Sequence, residues 1–468
     1  MSLLDVVLQD RHFQELEQLL TRSDGAEAAA YLLCGQSVIG CDPWERRSRR
    51  RLTSYEVVPI PPSDANSASP THVSWSTESF VKLLRRAHAE GLIAGILHTH
   101  PKGPIAFSEQ DDANERDLSQ LSRNRNGPAT ALLSLLWAHD AQLRARLWEH
   151  PKNPTDADVV SVVGEHLRFH RRARALGGLE AFERQALAFG PKLTAQLRRL
   201  RVAVVGCGGT GSAAAILLAR LGVGNLLLID EDIVDVTNLN RLHGATRADA
   251  DGMRPKVDVL AREVAGMALG TRVARMQAWV GDPRARDALK SCDLIFGCTD
   301  DHDGRLLLNR LAYFYLIPVI DMGLAIESTP EGAIKDVTGR VTMLQPGAPC
   351  LICRQVIDPV TARDENLRRR HPEEYERRKR EGYVRGGGEP APAVVSFTTA
   401  TACLAVDELL QALTQFRGTT QGAWQRVRRF DRLADRRPGA TQDNSCPVCA
   451  EALYWGRADV EPFLDRTG

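Results

Sequence analysis

The stretch VAVVGCGGTGS, residues 202–212, decides the fold of the larger part of this chain. A short apolar run ends in closely spaced glycines, and helix-forming residues follow over 211–221. A second apolar run over 225–230 completes a strand, helix, strand pattern, which is typical of a parallel sheet with helices packed on it. The sequence therefore predicts an α/β fold with a doubly wound sheet in this region.

Composition and charge are those of an ordinary globular protein. The 468 residues are 43% hydrophobic and 25% charged, and the formal net charge is +1. This balance argues against nucleic acid or an anionic membrane as the main partner. No apolar run is long enough to cross a bilayer, and the first residues, MSLLDVVLQDRHFQ, lack the apolar stretch of a signal peptide. We expect a cytoplasmic protein.

The length of the chain exceeds what one hydrophobic core supports and predicts two or more domains. We expect a first domain over residues 1–150, a polar linker over 151–172 and a second domain over 173–468. The pattern predicts one helix around 178–200. The segment RDENLRRRHPEEYERRKRE, residues 363–381, is dense in charge of both signs, and we interpret it as a solvated helix or mobile loop.

A second informative stretch, GILHTHPKGPIAFSEQDD, covers residues 95–112. His98 and His100 are one residue apart, so on a strand they point to the same face. Asp111 would lie in the first turn of a helix that begins after Ser108. Two imidazoles and one carboxylate leave one tetrahedral position for water, as at a catalytic zinc. A polar surface loop is the alternative, and it would account for a lone H-x-H but not for the full string.

The full string resembles the JAMM/JAB (MPN-type) metalloprotease family, whose members cleave peptide or isopeptide bonds after the C-terminus of ubiquitin-like proteins. The resemblance covers about residues 10–150 and implies a mixed α/β domain. It implies that the two histidines and the aspartate ligate zinc, and that the serine donates to the developing oxyanion. The general base is carried over to Glu27 in EAAAYLLCG, while Glu17 and Glu90 match less well.

The glycine turn of the second domain holds Gly206, Gly208, Gly209 and Gly211 between a strand and a helix. Backbone N–H groups and the helix N-terminus of such a turn face an anion. Asp230 follows 19 residues after Gly211, where an acid would meet ribose hydroxyls. A dinucleotide dehydrogenase would fit these features taken alone.

The polar run that follows favours chemistry at a triphosphate. In DEDIVDVTNLNRL, residues 230–242, the polar positions are Asp230, Asp232, Asn238, Asn240 and Arg241. A dehydrogenase needs no such cluster. Mg²⁺ prefers carboxylate ligands, and phosphates prefer the donors of Arg and Lys. The run therefore indicates a nucleotide site that handles Mg²⁺ and phosphate groups.

Four motifs occur in the order found in the ThiF/MoeB superfamily, the ubiquitin-activating type of adenylating enzyme: VGCGGTGS, DEDIVDVTNLNRL, RPK and FGCTDDHDGRLLLN. The chain resembles these enzymes, which implies a Rossmann-like doubly wound adenylation domain that binds ATP and Mg²⁺. The glycine turn then cradles phosphates. The remaining nucleotide-site residues are carried over as Asp230 on the ribose, Asp232 beside it, Asn238, Arg241 and Lys256 on the phosphates, and Asp300 on Mg²⁺. Arg184 in FERQALAFG matches an arginine that family dimers insert into the partner's ATP site, which implies a homodimer.

Two C-x-x-C pairs, Cys350 with Cys353 and Cys446 with Cys449, are separated by 92 residues. In a large cytosolic chain such pairs are more typical of metal ligands than of disulfides. Four thiolates form a closed tetrahedral zinc site, an arrangement found in many members of the family. We expect a structural zinc staple. Two independent redox pairs are the alternative, but neither pair follows a thioredoxin-like strand and helix.

The position of the usual catalytic cysteine departs from the family pattern. Ubiquitin-activating members carry this cysteine in the loop after the first C-x-x-C pair, and residues 354–398 hold none. Cys403 lies just beyond, among apolar neighbours at helical spacing, so we expect a buried and inert core residue. Cys207 and Cys298 flank the nucleotide and are also expected to be structural. The sequence therefore predicts adenylation without a thioester.

Both resemblances concern the flexible C-terminal tail of a ubiquitin-like β-grasp protein. We predict a bifunctional enzyme that cleaves after this tail with zinc and activates its carboxylate with ATP, in a bacterial ubiquitin-like conjugation pathway that sometimes serves antiviral defence. A conjugating enzyme is a further partner to consider. Sulfur-carrier processing and activation for thiocarboxylate-dependent biosynthesis is the alternative, and a scaffold that binds the tail without turnover is a third hypothesis.

Overall fold

The structure, a computed structural model, describes residues 2–172, 177, 180–380, 392–419, 422, 424–450 and 452–460. Two large mixed sheets and one short hairpin organise these residues. No helix within the described ranges has the length and apolar character that crossing a membrane requires.

The first sheet lies in the N-terminal part of the chain, and its nine described strands follow the order β11-β10-β1-β3-β2-β6-β7-β8-β9. Its strands are β1 (Leu3–Gln9), β2 (Ala29–Ile39), β3 (Arg49–Pro59), β6 (Ile93–His100), β7 (Leu132–Ala138), β8 (Gln142–Trp148), β9 (Thr155–Asp156), β10 (Val159–Val163) and β11 (Arg168–Arg171). The separate hairpin is β4 (Ala65–Ser69) and β5 (His72–Trp75), and the helices are α1 (Asp10–Leu20), α2 (Thr77–Glu90) and α3 (Glu109–Asn126). The predicted mixed α/β character of the first domain is confirmed.

The two faces of this sheet bury different helices. Alternate side chains of a strand point to opposite faces, so Leu97 packs with α1 while its neighbour Ile96 packs with α2. Phe13 of α1 and Phe80 of α2 anchor the two apolar clusters. The helices therefore cover β6 on both sides, which buries the strand that ends in the two histidines.

The second sheet has the described order β14-β13-β12-β15-β16-β17-β18-β19. Its strands are β12 (Arg201–Val205), β13 (Asn225–Ile229), β14 (Arg272–Met276), β15 (Leu294–Gly297), β16 (Val319–Ser328), β17 (Ile334–Leu344), β18 (Gln425–Arg429) and β19 (Ala434–Arg436). Its helices are α4 (Glu183–Phe189), α5 (Pro191–Leu197), α6 (Gly209–Leu221), α7 (Arg247–Asp251), α8 (Lys256–Gly266), α9 (Pro283–Leu289), α10 (His302–Phe314), α11 (Pro359–Arg370), α12 (Pro372–Arg380) and α13 (Val395–Thr414). The five neighbouring strands β14, β13, β12, β15 and β16 are parallel. Helices α6, α8 and α13 cover one face of the sheet, and α9 and α10 cover the other. The predicted doubly wound sheet is confirmed.

The linker predicted over 151–172 is wrong, because this segment forms β9, β10 and β11 of the first sheet. All five residues of Val159–Val163 are buried, and β10 pairs in parallel with β1. Composition did not indicate this short buried strand, because Pro151, Pro154 and charged residues surround β10 in the sequence. The first sheet therefore extends as far as Arg171.

The single helix predicted around 178–200 is also wrong within the described residues. A 3-10 turn over Glu180–Phe182 leads into α4, which ends at Gly190, and α5 starts at Pro191. Gly190 has a φ of +79°, a value that favours glycine, and proline has no N–H to continue a helical ladder. The Gly-Pro pair therefore divides the segment into two short helices.

A buried ion network joins the two sheets. Arg201, the first residue of β12, has Nη2 at 2.7 Å from carboxylate oxygens of both Asp5 and Asp293. Arg49 approaches the other Asp5 oxygen at 2.6 Å, and Arg171 lies 2.8 Å from Asp293. Burial would raise the pKa of the Asp5 carboxyl, but Arg201 and Arg49 together hold it below its ordinary value. The network is therefore ionised and compensated inside the interface.

Backbone contacts and apolar packing surround this network. Arg51 donates from its guanidinium to the carbonyls of Cys292 and Leu316, at 2.9 and 3.2 Å, and burial lowers its pKa to about 10. Val7 and Leu167 belong to the same apolar cluster as the helices of the second sheet. The interface lies at the amino ends of β12 to β15, so the carboxyl ends of these strands face away from the first domain.

We predict that Arg201→Met destabilises the folded chain by about 3–5 kcal/mol, because two buried carboxylates lose their shared cation. The measurement is the free energy of unfolding from urea titration followed by circular dichroism. Arg284, on α9 with 78% of its side chain exposed, offers the matched control Arg284→Met, which we expect to change stability by less than about 0.5 kcal/mol. Equal effects of the two substitutions would contradict a stabilising role for the network.

Candidate functional site

The end of β6 and the start of α3 bring together the three residues predicted to ligate zinc. His98 Nε2 lies 3.1 Å from one oxygen of Asp111, and His100 Nε2 lies 3.4 Å from the other. One possible ligand atom from each of the three residues lies within 4.8 Å of the other two. The buried Nε2 of His98 is close to the Asp111 carboxylate but lacks the angles of a hydrogen bond with it or with any other described residue. These donors fit a tetrahedral zinc with one position left for water.

Glu27 approaches this cluster from the segment just before β2, the strand that pairs with β6. It precedes β2, and pairing of Ala29 with His98 brings its carboxylate to 3.9 Å from Nε2 of His100. Burial raises the pKa of the Glu27 carboxyl, which is the direction a proton acceptor and donor requires. Glu17 is exposed on α1, and Glu90 pairs with Arg86 at the end of α2. The structure thus brings Glu27, and not the two weaker matches, to the histidines.

Ser108 acts as the N-cap of α3. Its hydroxyl donates to the Asp111 carboxylate at 2.8 Å and accepts the Asp111 N–H at 3.1 Å. The Ser108 N–H also donates to this carboxylate, at 2.7 Å. The serine therefore orients a predicted zinc ligand, and its interaction with an oxyanion stays a prediction.

A buried network that the sequence did not indicate fixes α3 against the sheet. Arg146 of β8 pairs with Glu115 at 2.7 Å and with Asp112, the neighbour of Asp111. Glu115 also accepts from Ser134 and from the Trp148 indole, both at 2.6 Å. These residues lie on three separate elements, so no local pattern could have revealed them. Their effect is to hold the first turn of α3 beside the histidines.

A polar cavity of about 510 Å³ lies at the carboxyl ends of β12, β13 and β15 and beside the middle of β16. It contains nearly every residue predicted to bind nucleotide: Gly206, Gly208, Gly209, Asp230, Asp232, Asn238, Arg241, Lys256 and Asp300. In open α/β sheets, ligands bind in the crevice outside the carboxyl ends of the strands. The cavity is therefore the candidate nucleotide site.

The glycines of the turn have different structural roles. Gly206 has a φ of +87°, and a Cβ there would lie 2.8 Å from the backbone of Cys298. A Cβ on Gly211 would lie 1.7 Å from the Gly206 carbonyl oxygen, so this glycine permits close packing of α6 on β12 rather than lining the cavity. Gly208 has open space around it. The turn thus exposes backbone to the cavity at Gly208.

The acids and bases of the cavity are already oriented. Asp230 accepts the N–H of Cys207 at 2.5 Å and that of Asp232 at 2.8 Å, and burial raises its pKa. Lys256 is buried and donates from Nζ to Asp232 at 2.7 Å. Arg241 bonds to the carbonyl of Thr237 in the 3-10 turn Val236–Asn238. These contacts place a cation and several carboxylates at one end of the cavity, as binding of Mg²⁺ and phosphates requires.

Arg184, predicted to act on a partner's nucleotide, lies outside the cavity of its own chain. It is exposed on α4. The structure therefore does not bring Arg184 to the nucleotide site within one chain, and its function in a dimer stays a prediction.

The four cysteines of the C-x-x-C pairs come together behind α10. Cys350 Sγ lies 3.5 Å from Cys446 Sγ, and Cys353 Sγ lies 3.4 Å from Cys449 Sγ. All four sulfurs lie within 4.8 Å of one another. Thiolates at about 2.3 Å from a tetrahedral zinc are roughly 3.8 Å apart, so this set fits a closed zinc site and not two disulfides.

Cys403 is exposed, so the prediction of a buried core cysteine is wrong. Nearly every side of α13 carries apolar residues, and the apolar pattern could not show which stripe faces solvent. Desolvation and the neighbouring Asp407 nevertheless raise the pKa of its thiol. Cys207 and Cys298 line the strand ends, and burial raises the pKa of each thiol. None of these three thiols has the lowered pKa of an activated nucleophile.

The sequence missed several residues that line the cavity. They are Trp279 after β14, Arg305 of α10, Gly323 of β16, Thr398 of α13 and Arg369 of α11. The segment interpreted as a solvated helix or mobile loop forms α11 and α12 over its described part. Its interpretation as merely solvated is wrong for α11, because Arg369 contacts Asp301 and Asp303 beside the cavity.

Comparison with known proteins agrees with this geometry. Residues 182–448, more than half of the chain, match the ThiF family. The chain belongs to the ThiF family. Residues 9–149 match the prokaryotic homologues of the JAB domain, so a JAB domain precedes the ThiF domain. Both resemblances stated from the sequence are confirmed.

Curated relatives match part of the chain. The SAMP-activating enzyme E1 of Haloferax volcanii is 32% identical over 164 residues, which are 35% of this chain and 56% of that protein. The molybdopterin-synthase adenylyltransferase of Escherichia coli is 32% identical over 161 residues, 34% of this chain and 59% of that protein. The chain thus spans about half of the length of the relatives it matches. A crystal structure of Escherichia coli MccB is 17% identical with a TM-score of 0.45, covering 58% of this chain and 75% of that one.

We predict that the purified chain holds two zinc ions, one at each cluster. His98→Ala and Cys446→Ser should each reduce the content to one, and only Cys446→Ser should lower the thermal midpoint, because a closed thiolate site contributes folding energy. The measurements are elemental analysis by mass spectrometry and thermal unfolding. The exposed Cys403 offers the control Cys403→Ser, which should keep both ions, and full zinc content in Cys446→Ser would refute the staple.

Proposed function

We propose that this chain is a bifunctional enzyme that cleaves the bond after the C-terminus of a ubiquitin-like protein and activates the exposed carboxylate by adenylation. The observation that carries the proposal is the presence of both constellations in one chain: the histidine pair with Asp111, and the polar cavity at the strand ends of the ThiF domain. The relatives named as an E1 and as an adenylyltransferase support the second activity.

The JAB domain supplies the groups for hydrolysis. A zinc ion held by His98, His100 and Asp111 would acidify a bound water and polarise the scissile carbonyl. Glu27 would accept the proton of the attacking water and deliver it to the leaving amine, and the raised pKa of its carboxyl suits both steps. Ser108 would donate to the developing oxyanion while its backbone keeps Asp111 in place.

The ThiF domain supplies the groups for adenylation. The carboxylate of the tail attacks the α-phosphate of ATP, forming an acyl–phosphate bond as the bond to pyrophosphate breaks. Lys256 and Arg241 would offset the repulsion between carboxylate and phosphates, and Asp230 would hold the ribose. Asp300, exposed after β15, would help to hold Mg²⁺. Arg184 of a second copy would complete the phosphate site in a homodimer.

The distribution of cysteines supports direct transfer of the adenylate. Residues 354–398 contain no cysteine in the sequence, and the thiol of Cys403 has a raised pKa. Neither Cys403 nor the two thiols at the strand ends, Cys207 and Cys298, therefore offers an activated nucleophile for a thioester. The acyl-adenylate would pass directly to the final nucleophile, as expected for a bacterial ubiquitin-like conjugation pathway, sometimes with an antiviral role.

A second candidate is processing and activation of a sulfur carrier. The match to a molybdopterin-synthase adenylyltransferase favours it. The same cleavage and adenylation would serve both pathways, and formation of a thiocarboxylate with a sulfur donor would distinguish this candidate from conjugation.

We expect His98→Ala to abolish cleavage of a tail fusion and to leave ATP–pyrophosphate exchange unchanged, because the two sites lie in different domains and share no residue. The reciprocal variant Arg241→Ala should lose exchange and keep cleavage. The assays are gel analysis of the fusion and exchange of labelled pyrophosphate into ATP. Loss of both activities in either variant would contradict two independent sites.

Intact-mass spectrometry after incubation with Mg-ATP and a candidate ubiquitin-like protein, without reductant, tests the adenylation step itself. We expect the partner to gain AMP while the mass of this chain stays unchanged. An adduct of the whole partner on this chain that is lost with thiol would contradict direct transfer, and Cys403→Ser would then show whether the exposed thiol is the acceptor.

A further inference from the structure

Helix α11 delivers one arginine to the nucleotide cavity. Among the consecutive Arg368, Arg369 and Arg370, only Arg369 lines the cavity. Its guanidinium carbon lies 3.8 Å from the ring centroid of Trp279, which places the cation over the indole face. Trp279 itself lies in the loop after β14 and donates from Nε1 to Asp301 at 3.3 Å. One arginine thus connects a helix of the charged segment to a wall of the cavity.

The position of Arg369 is fixed by several contacts to the first turn of α10. Arg369 Nη1 lies 2.9 Å from Asp303, and Nη2 lies 3.4 Å from Asp301. Glu365 accepts the N–H of Asp303 at 2.8 Å, and Asn366 donates to the Asp303 carboxylate at 3.1 Å. This turn directly follows Asp300, the acid carried over to Mg²⁺. The helix is therefore docked at the site and is not a free surface element.

The location within the cavity indicates which part of a nucleotide is near. Asp230 directly follows β13 and is the proposed ribose ligand, so the base would lie toward the loop after the neighbouring β14. Trp279 lies in that loop. The carboxylates of Glu231, Asp232 and Asp301 line the same cavity, so Arg369 adds positive charge to a lining that would otherwise repel a polyanionic ligand.

We propose that Arg369, stacked on Trp279, is a nucleotide-binding residue that closes the base end of the ATP site, and that α11 thereby forms part of this site. The inference rests on the proposed function, in which the cavity binds ATP. The charged segment has a defined task in this arrangement: Glu365 and Asn366 hold α11 on α10, and Arg369 contacts the ligand.

The test is isothermal titration calorimetry of the full chain with ATP and Mg²⁺, which measures binding without any ubiquitin-like partner. We expect Arg369→Ala to weaken ATP binding about tenfold, since the ligand loses a nearby positive charge and the Trp279 ring loses the cation that holds it. Arg369→Lys should keep part of the affinity because it keeps the charge. The exposed Arg368 on the same helix offers the matched control Arg368→Ala, which should bind ATP like the unaltered chain.

Trp279→Leu tests the stacking of Arg369 on the indole from the side of the ring. It should weaken ATP binding severalfold, and combination with Arg369→Ala should add less than the sum of the two effects, because both changes remove one contact. Unaltered ATP affinity in Arg369→Ala would overturn the inference and leave the proposed function intact. Absence of ATP binding by the unaltered chain would overturn both. Two results together would assign Arg369 a structural role and overturn the inference. They are a lower thermal midpoint of ligand-free Arg369→Ala and an unchanged ATP affinity of Arg369→Lys.

Discussion

The placement of Arg201 between Asp5 and Asp293 is the constraint on which the arrangement of the two domains depends. The guanidinium lies at the amino end of β12, the middle one of the five parallel strands of the ThiF sheet, and reaches a carboxylate of β1 in the JAB sheet. Burying such ions costs much solvation energy, so each must keep its partners. The positions of these ions therefore fix how β1 of the JAB domain meets β12 of the ThiF domain.

The C-terminal segment reinforces this contact and links it to the cysteine cluster. After Cys449 the chain returns to the JAB sheet, where Thr53 donates to the carbonyl of Gly456 at 2.6 Å and Gln36 forms a bridge with Ala458. Glycine is needed at position 35 of β2, where the C-terminal segment crosses the sheet, because a Cβ on Gly35 would lie 2.1 Å from the Gly456 oxygen. A zinc staple at the four cysteines would therefore stabilise the domain interface as well as the ThiF domain.

Sequence reasoning succeeded where the chemistry is local and failed where tertiary contacts decide. His98, His100 and Asp111 lie on one strand and the next helix, so their proximity follows from period and capping. Glu27 was predicted only from the family resemblance, because the register of β2 on β6 is what brings it to the histidines. Trp279 and Arg369 are 90 residues apart in the sequence, and no local pattern predicts that they stack.

The same interface separates the two candidate sites, the histidine cluster and the nucleotide cavity, within one chain. From Arg51, beside the ion network, β3 runs about 26 Å to Pro59, taking a rise of about 3.3 Å per residue. Pro59 pairs with the start of β2, which pairs in turn with His98. From Arg201 the chain runs about 17 Å to the glycine turn by the same rise. Because the nucleotide cavity lies at strand ends that face away from the JAB domain, we expect that a tail bound at one site does not extend into the other. The proposed sequence of cleavage and activation therefore requires that the tail leave the histidine cluster before it enters the nucleotide cavity, of the same chain or of another.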